Sequence, residues 1–176
     1  MTTRQQGLTL LELMITVAIV LLLITVGSPA IVSAQRHLSL SGAVENTYFM
    51  FQQARSHAVR QSSDIVMDFE GASSSWCIGL TDQADCDCSV VNSCTIDGVD
   101  AVLSNDEFPH TWLKSISFDD NDQALIDGRR GLALNSAGSA VLSDSKNAVR
   151  LELNAVGRVK ICVTEGELGS YPQCDS

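Results

Sequence analysis

The stretch from Leu8 to Val26 constrains this chain more than any other. Every residue in it is apolar or threonine except Glu12. Its length approaches the about 20 residues that a helix needs to cross a bilayer core. A carboxylate inside hydrocarbon costs about 2.5–3.5 kcal/mol on insertion scales, so an ionisable residue there points to a function by default. A simple anchor would carry leucine at that place.

The flanks narrow the reading. Met1 to Gln6 is polar, holds one basic residue, Arg4, and ends at Gly7. This amino-terminal segment is not read as a cleaved secretory signal. Past the run, Gly27-Ser28-Pro29 interrupts the apolar pattern, and a proline inside a helix removes one hydrogen bond and kinks the axis. Leu40, Val44, Tyr48, Phe51, Ala54 and Ala58 then recur at spacings of three or four, one face of an amphipathic helix. Gln35, Arg36, Ser39, Glu45, Asn46, Gln53, Arg60 and Gln61 fill the other face. The spacing predicts one helix from about Thr9 to Ser62, bent at Pro29.

Beyond it the pattern is that of strands and turns. Asp64–Phe69 alternates and suits a first strand leaving the helix. Trp76–Leu80 and Ser115–Phe118 are candidate strands, and residues 81–111 between them, rich in Asp, Asn, Ser and Cys, read as a long surface excursion. Gly131–Leu134 and Ala140–Ser143 flank Asn135–Ser139 as an expected hairpin. Val149–Asn154 turns at Ala155-Val156-Gly157 and continues as Arg158–Val163, the clearest antiparallel pair. The expected class is α+β: a long helix on a small antiparallel β-sheet domain.

With 176 residues there is room for one helix and one modest domain, and the net charge of −10 argues against broad electrostatic binding of nucleic acid or anionic lipid. Six cysteines beside an export segment read as disulfides in an oxidising compartment. A structural zinc site from Cys77, Cys86, Cys88 and Cys94 is the alternative, but zinc sites use paired Cys-x2–4-Cys spacings that this order lacks. Catalysis has little footing: His37, His57 and His110 are scattered, and no nucleophile elbow, His-Glu-x-x-His or phosphate-binding glycine loop appears. Asp119, Asp120 and Asp122 form an acidic run without the alternating ligands and glycine turn of a calcium loop, and read as a solvated turn. No cofactor or metal is expected.

Gly7-Leu8-Thr9-Leu10-Leu11-Glu12, ahead of an apolar helix, resembles the class III signal of prepilins and pseudopilins. That resemblance implies cleavage by a prepilin peptidase between Gly7 and Leu8 and methylation of Leu8. It also implies that Glu12 is an assembly contact for the amino terminus of a neighbouring subunit and that Pro29 is the pilin helix kink. Ala54-Arg55-Ser56-His57-Ala58-Val59-Arg60 resembles the segment that closes the long helix in GspH/FimT-type minor pilins, with His57 where the family has Glu. The organisation so implied is a leader at 1–7, a transmembrane and polymerisation helix at 8–26, its amphipathic continuation at 27–63, and a periplasmic β-rich domain at 64–176.

Cys162 and Cys174 are the favoured pair. They are close in sequence and apart from the other four, and minor pilins of this type often tie down their C-terminal segment in this way. The bridge is worth about 3 kcal/mol in the chain-entropy model. Pairing among Cys77, Cys86, Cys88 and Cys94 stays open at this level.

The implied role is structural: a minor pilin, not an enzyme, that initiates or caps a type IV pilus filament. Its partners would be other pilins, the peptidase and the inner membrane. An H-type minor pseudopilin of a type II secretion system is the alternative. A DNA-binding minor pilin is a third, since Gly157-Arg158-Val159-Lys160 resembles the basic segment by which some members bind DNA, with Arg150 on the neighbouring strand.

Overall fold

The computed structural model describes residues 9–72, 74–118 and 123–175, with backbone alone at 26–30 and at 72. Gly7 and Leu8, and the acidic run Asp119, Asp120 and Asp122, lie outside the described residues. The chain divides into two compact units, Met1–Gln35 and Arg36–Ser176.

A single helix, α1, runs over Leu10–Gln61. Its start is set by Thr9, whose Oγ1 accepts the Glu12 N–H at 3.3 Å while its carbonyl accepts from Leu13 at 3.2 Å. Threonine followed three residues later by glutamate is the capping-box spacing, and it seats an acid in the positive first turn. The helix ends in a left-handed residue, Ser62 at φ 54°. The Ser63 N–H then returns to the Ala58 carbonyl at 3.3 Å, a Schellman closure. Pro29 falls inside α1, and the bend expected there rests on residues whose side chains are not described.

In the first unit every described side chain of the apolar stretch is exposed, from Leu10 at 79% to Ile24 at 59%. Among the described residues no helix is long and apolar enough to cross a membrane. The expected span, 8–26, extends past the described side chains at both ends.

Among the described residues of the second unit ten strands follow the helix: β1 Ile65–Ala72, β2 Ser75–Thr81, β3 Thr95–Ile96, β4 Val99–Asp100, β5 Val102–Ser104, β6 Trp112–Phe118, β7 Ala124–Ile126, β8 Gly138–Ser143, β9 Ala148–Leu153 and β10 Val159–Glu165. They form two four-stranded sheets, in the orders β5-β2-β1-β7 and β10-β9-β8-β6, and the small hairpin β3-β4. All pairings between these strands are antiparallel.

One hydrophobic cluster joins the helix to both sheets. Leu40, Ala43, Val44, Phe51, Ala54 and Ala58 line the buried stripe of α1, and Tyr48 is half-buried beside them. Small residues toward its end let the backbone approach the sheets closely. Three aromatic rings mark the junction: Phe51 from α1, Phe69 from β1 and Phe118 from β6. Phe69 and Phe118 stack at 4.9 Å, with Phe51 at 6.0 and 6.5 Å from them. Burying rings of this size contributes about 1.5–3 kcal/mol each. Trp76 fills the end of the same core and donates its indole N–H to the Thr111 carbonyl at 2.9 Å.

Two sequence expectations are corrected. Gly131–Leu134 is not a strand, and Asn135–Ser139 is not a hairpin loop. β8 already has β9 on one side and β6 on the other, so no edge remains for residues 131–134. Those residues form a turn and loop instead, with Asp127 Oδ1 accepting the Arg129 and Arg130 N–H groups and Gly131 donating to the Asp127 carbonyl. Residues 81–111 are likewise more than an excursion. They contribute β5 to the edge of the first sheet, and they bury Cys94, Ile96 and Leu103.

Candidate functional site

Two features carry the chemistry of this chain: the exposed apolar helix with its one acid, and the cysteine-bridged face of the first sheet. On the helix, Glu12 is the only ionisable residue between Thr9 and Thr25. Its backbone N–H is bound to Thr9, so the first turn is fixed while its apolar neighbours Leu11 and Leu13 lie exposed at 68% and 56%. Thr16 and Thr25 return their hydroxyls to the carbonyls three residues back, so those donors are satisfied within the helix. The result is an apolar sleeve with a single carboxylate. In the second unit the outward side of α1 continues to expose Leu38 at 70% and Phe49 at 65%.

The bridged face is built on the outward side of β1 and β2. Alternation along β1 sends Met67 and Phe69 to the core and Asp68 and Glu70 to the other side. Register places Asp68 opposite Gly79 and Glu70 opposite Cys77. The loop after β2 folds over this face and is held by two bridges, Cys77–Cys88 and Cys86–Cys94, which interlock in sequence. The four cysteines are buried as a cluster of their own, with Val102 packed against them. Gly79 is the floor beneath it: a Cβ there would lie 2.3 Å from Cys94 Sγ and 3.1 Å from Cys88 Cβ. Only glycine fits.

The hairpin within the loop turns at Asp97-Gly98. Both residues have positive φ, 54° and 73°, the two-residue turn that matches strand twist. Its tip returns to the end of α1. Asp97 accepts from Gln61 at 2.7 Å and from Arg60 at 3.3 Å, and Arg60 also meets His57 Nδ1 at 2.9 Å. Arg55 reaches the β9–β10 turn and donates to the Gly157 carbonyl at 3.3 Å. The arginines of the segment 54–60 thus fasten the helix to two different turns.

A cavity of about 430 Å³ opens between β1 and the bridged loop, lined by Asp68, Glu70, Asp85, Asp87 and Gln123 among others. The Gln123 amide donates to Asp68 Oδ1 at 3.2 Å and to Asp85 Oδ1 at 2.8 Å. Burial pushes the Asp68 carboxyl above its ordinary range, and the charges of Asp85 and Asp87 add to this. Glu70 is raised for the same reasons, burial first. Asp87 is lowered, because the Ser89 hydroxyl and N–H both donate to its carboxylate. Sequence reading passed over this group, although the i, i+2 placement of Asp68 and Glu70 on one strand was legible.

At the C-terminal end Cys162 and Cys174 are bridged. Residues 172–174 lie along β10: the Val163 N–H donates to Pro172 at 2.8 Å and the Cys174 N–H to Val163 at 2.9 Å. Leu168 is buried beneath them, and the Tyr171 hydroxyl reaches Glu45 Oε1 of α1 at 3.4 Å. This segment also meets the expected basic patch. Lys160 donates to Asp175 at 2.9 Å and faces Glu152 across the β9–β10 ladder. Arg150 sits opposite Cys162 with Nε buried and without a partner among the described residues. Arg158 is exposed just before β10. Arg150 and Lys160 share one side of the sheet with Glu152.

No curated protein and no solved structure matches the chain. The prokaryotic N-terminal methylation motif matches residues 2–28, the stretch that contains the apolar run and Glu12. The family described as type II transport protein GspH matches residues 43–157, from the buried half of α1 through the β9–β10 turn. Since that match spans more than half of the sequence, the chain belongs to the GspH family of pilin-like proteins and carries the methylation motif at its amino end.

Proposed function

We propose that this protein is a minor pilin that initiates or caps a type IV pilus filament. A prepilin peptidase cuts after Gly7 and methylates Leu8. The helix then holds the subunit in the inner membrane as a single span, with the sheet domain in the periplasm, until assembly. The observation that carries this reading is the sleeve itself: apolar side chains exposed from Leu10 to Ile24, interrupted only by Glu12 and Thr16. Exposed apolar surface of this extent needs lipid before assembly and other helices after it. Glu12 would be desolvated in either setting, and pairing with the amino terminus of a neighbouring subunit would offset that cost inside the filament. Its work is structural, and no catalytic group is assigned.

A second reading has one observation in its favour. The matched family is described as a type II transport protein, so the same device would serve as an H-type minor pseudopilin. Deletion of the gene separates the two. Loss of surface filaments with secretion intact supports the pilus reading, and loss of secreted proteins with filaments intact supports the pseudopilin. A strain normal in both defeats the proposal. Mass spectrometry of the mature chain should find Leu8 at the amino terminus with one added methyl group.

A further inference from the structure

The acidic cavity beside the bridged loop has a composition that neither reading explains. Asp68, Glu70, Asp85 and Asp87 line it, and among the described residues no Lys or Arg does. Surface acids are common and normally keep their carboxylates in water. Asp68 does not: the residue is only 5% exposed, and its Oδ2 is buried without a well-formed hydrogen bond among the described residues, with only weak support to the carboxyl from the nearby Cys88 N–H. A buried carboxylate oxygen left without a well-formed hydrogen bond costs free energy that the fold does not recover internally. Its other oxygen is tied to the Gln123 amide, which also holds Asp85, so the two carboxylates are drawn toward one point.

We infer that this cavity binds one hard divalent cation of the calcium type, with Asp68 and Asp85 as its central ligands and Glu70 and Asp87 at its rim. The donor set decides the class of ion. Asp68, Cys86 and Cys94 bring their ligand atoms within 4.8 Å of one another, a grouping that would suit zinc if the sulfurs were thiolates. Both sulfurs are spent in the Cys86–Cys94 bridge, so only oxygens remain. Oxygen ligands at irregular positions on a strand and a loop suit calcium, which tolerates flexible geometry, better than magnesium, which demands a near-ideal octahedron. The bound ion would tie the loop to β1, a strand that carries no bridged cysteine.

The test is calcium titration of the purified full chain in detergent, after dialysis against a chelator, followed by calorimetry. Saturable binding of one ion is expected, with a dissociation constant on the order of 10⁻⁴–10⁻³ M. Asp85→Asn, a change at an exposed position, should weaken it at least tenfold, and Asp68→Asn should do the same. Glu167→Gln, outside the cavity, should leave it unchanged. Absence of saturation by about 10 mM calcium would overturn the assignment. So would equal affinity in the Asp85→Asn variant, an equal loss in Glu167→Gln, or magnesium binding as tightly as calcium.

Discussion

Gly79→Ala tests how the cysteine-bridged loop is seated. The new methyl carbon would lie 2.3 Å from Cys94 Sγ, 2.7 Å from Cys94 Cβ and 3.1 Å from Cys88 Cβ, where ordinary contact begins near 3.4 Å. The obstructing atoms belong to bridged cysteines, so none is the free end of a flexible side chain. The loop has to rise by about an ångström or the strand has to sink, and overpacking of this kind costs about 1–3 kcal/mol. For a chain of this size each kcal/mol lowers the melting temperature by about 2–4 °C, so a fall of about 2–12 °C is expected. Thermal unfolding of the oxidised full chain, followed by near-ultraviolet circular dichroism, reads it. In a Cys86→Ala/Cys94→Ala background the sulfur is gone and the loop is free to lift, so the same substitution should cost less. The two changes should couple by about 0.5–3 kcal/mol. An unchanged melting temperature, or the same loss with and without the bridge, would refute the reasoning.

Replacing Cys162 and Cys174 together by serine removes a bridge worth about 3 kcal/mol and should lower the melting temperature by about 6–12 °C. The segment around Leu168 to Asp175 should then become open to limited proteolysis, and an unchanged digestion pattern would count against its being held by that bridge. Asp68→Asn should stabilise the protein at neutral pH in chelator-containing buffer, because Asp68 has a carboxyl pKa raised by burial in the folded state. The folded chain bears the cost of ionising that group in full above its raised pKa. The cost shrinks as pH falls through that value and is gone below the ordinary carboxylate range, where the group is protonated folded or unfolded. Melting temperatures of both proteins from pH 7 down to pH 4 should therefore converge, and a gap that widens on acidification would contradict this.

Much of the architecture is legible from residue order, because one periodicity dominates each part. The three-and-four spacing of Leu40, Val44, Phe51, Ala54 and Ala58 is the stripe found buried in α1, and the alternation of Val149–Asn154 and Arg158–Val163 is the β9–β10 ladder. Residues 131–143 misled for a physical reason. Ala140–Ser143 pairs with β9, the strand that follows it, and with β6, well before it, so both of its sides are taken and nothing local reports the second pairing. The loop over 81–111 hid its structure differently. Its polar composition masks a core made by cysteines, and the one local sign, Asp97-Gly98 as a tight turn, is short. The acidic cavity was illegible for the commonest reason. Asp85 and Gln123 are brought to Asp68 by tertiary folding alone.

On the proposed function, Glu12 acts only on assembly. The direct measurement is the fate of Glu12→Leu in a strain lacking the native gene, with membranes and sheared filaments probed separately. The expected variant is processed and membrane-held like the native protein and is absent from filaments. Leucine at that position satisfies lipid better than glutamate does, so retention in the membrane is a built-in control. Incorporation of the Glu12→Leu protein at the native level would contradict the claim and leave Glu12 as no more than the third residue of a capped helix.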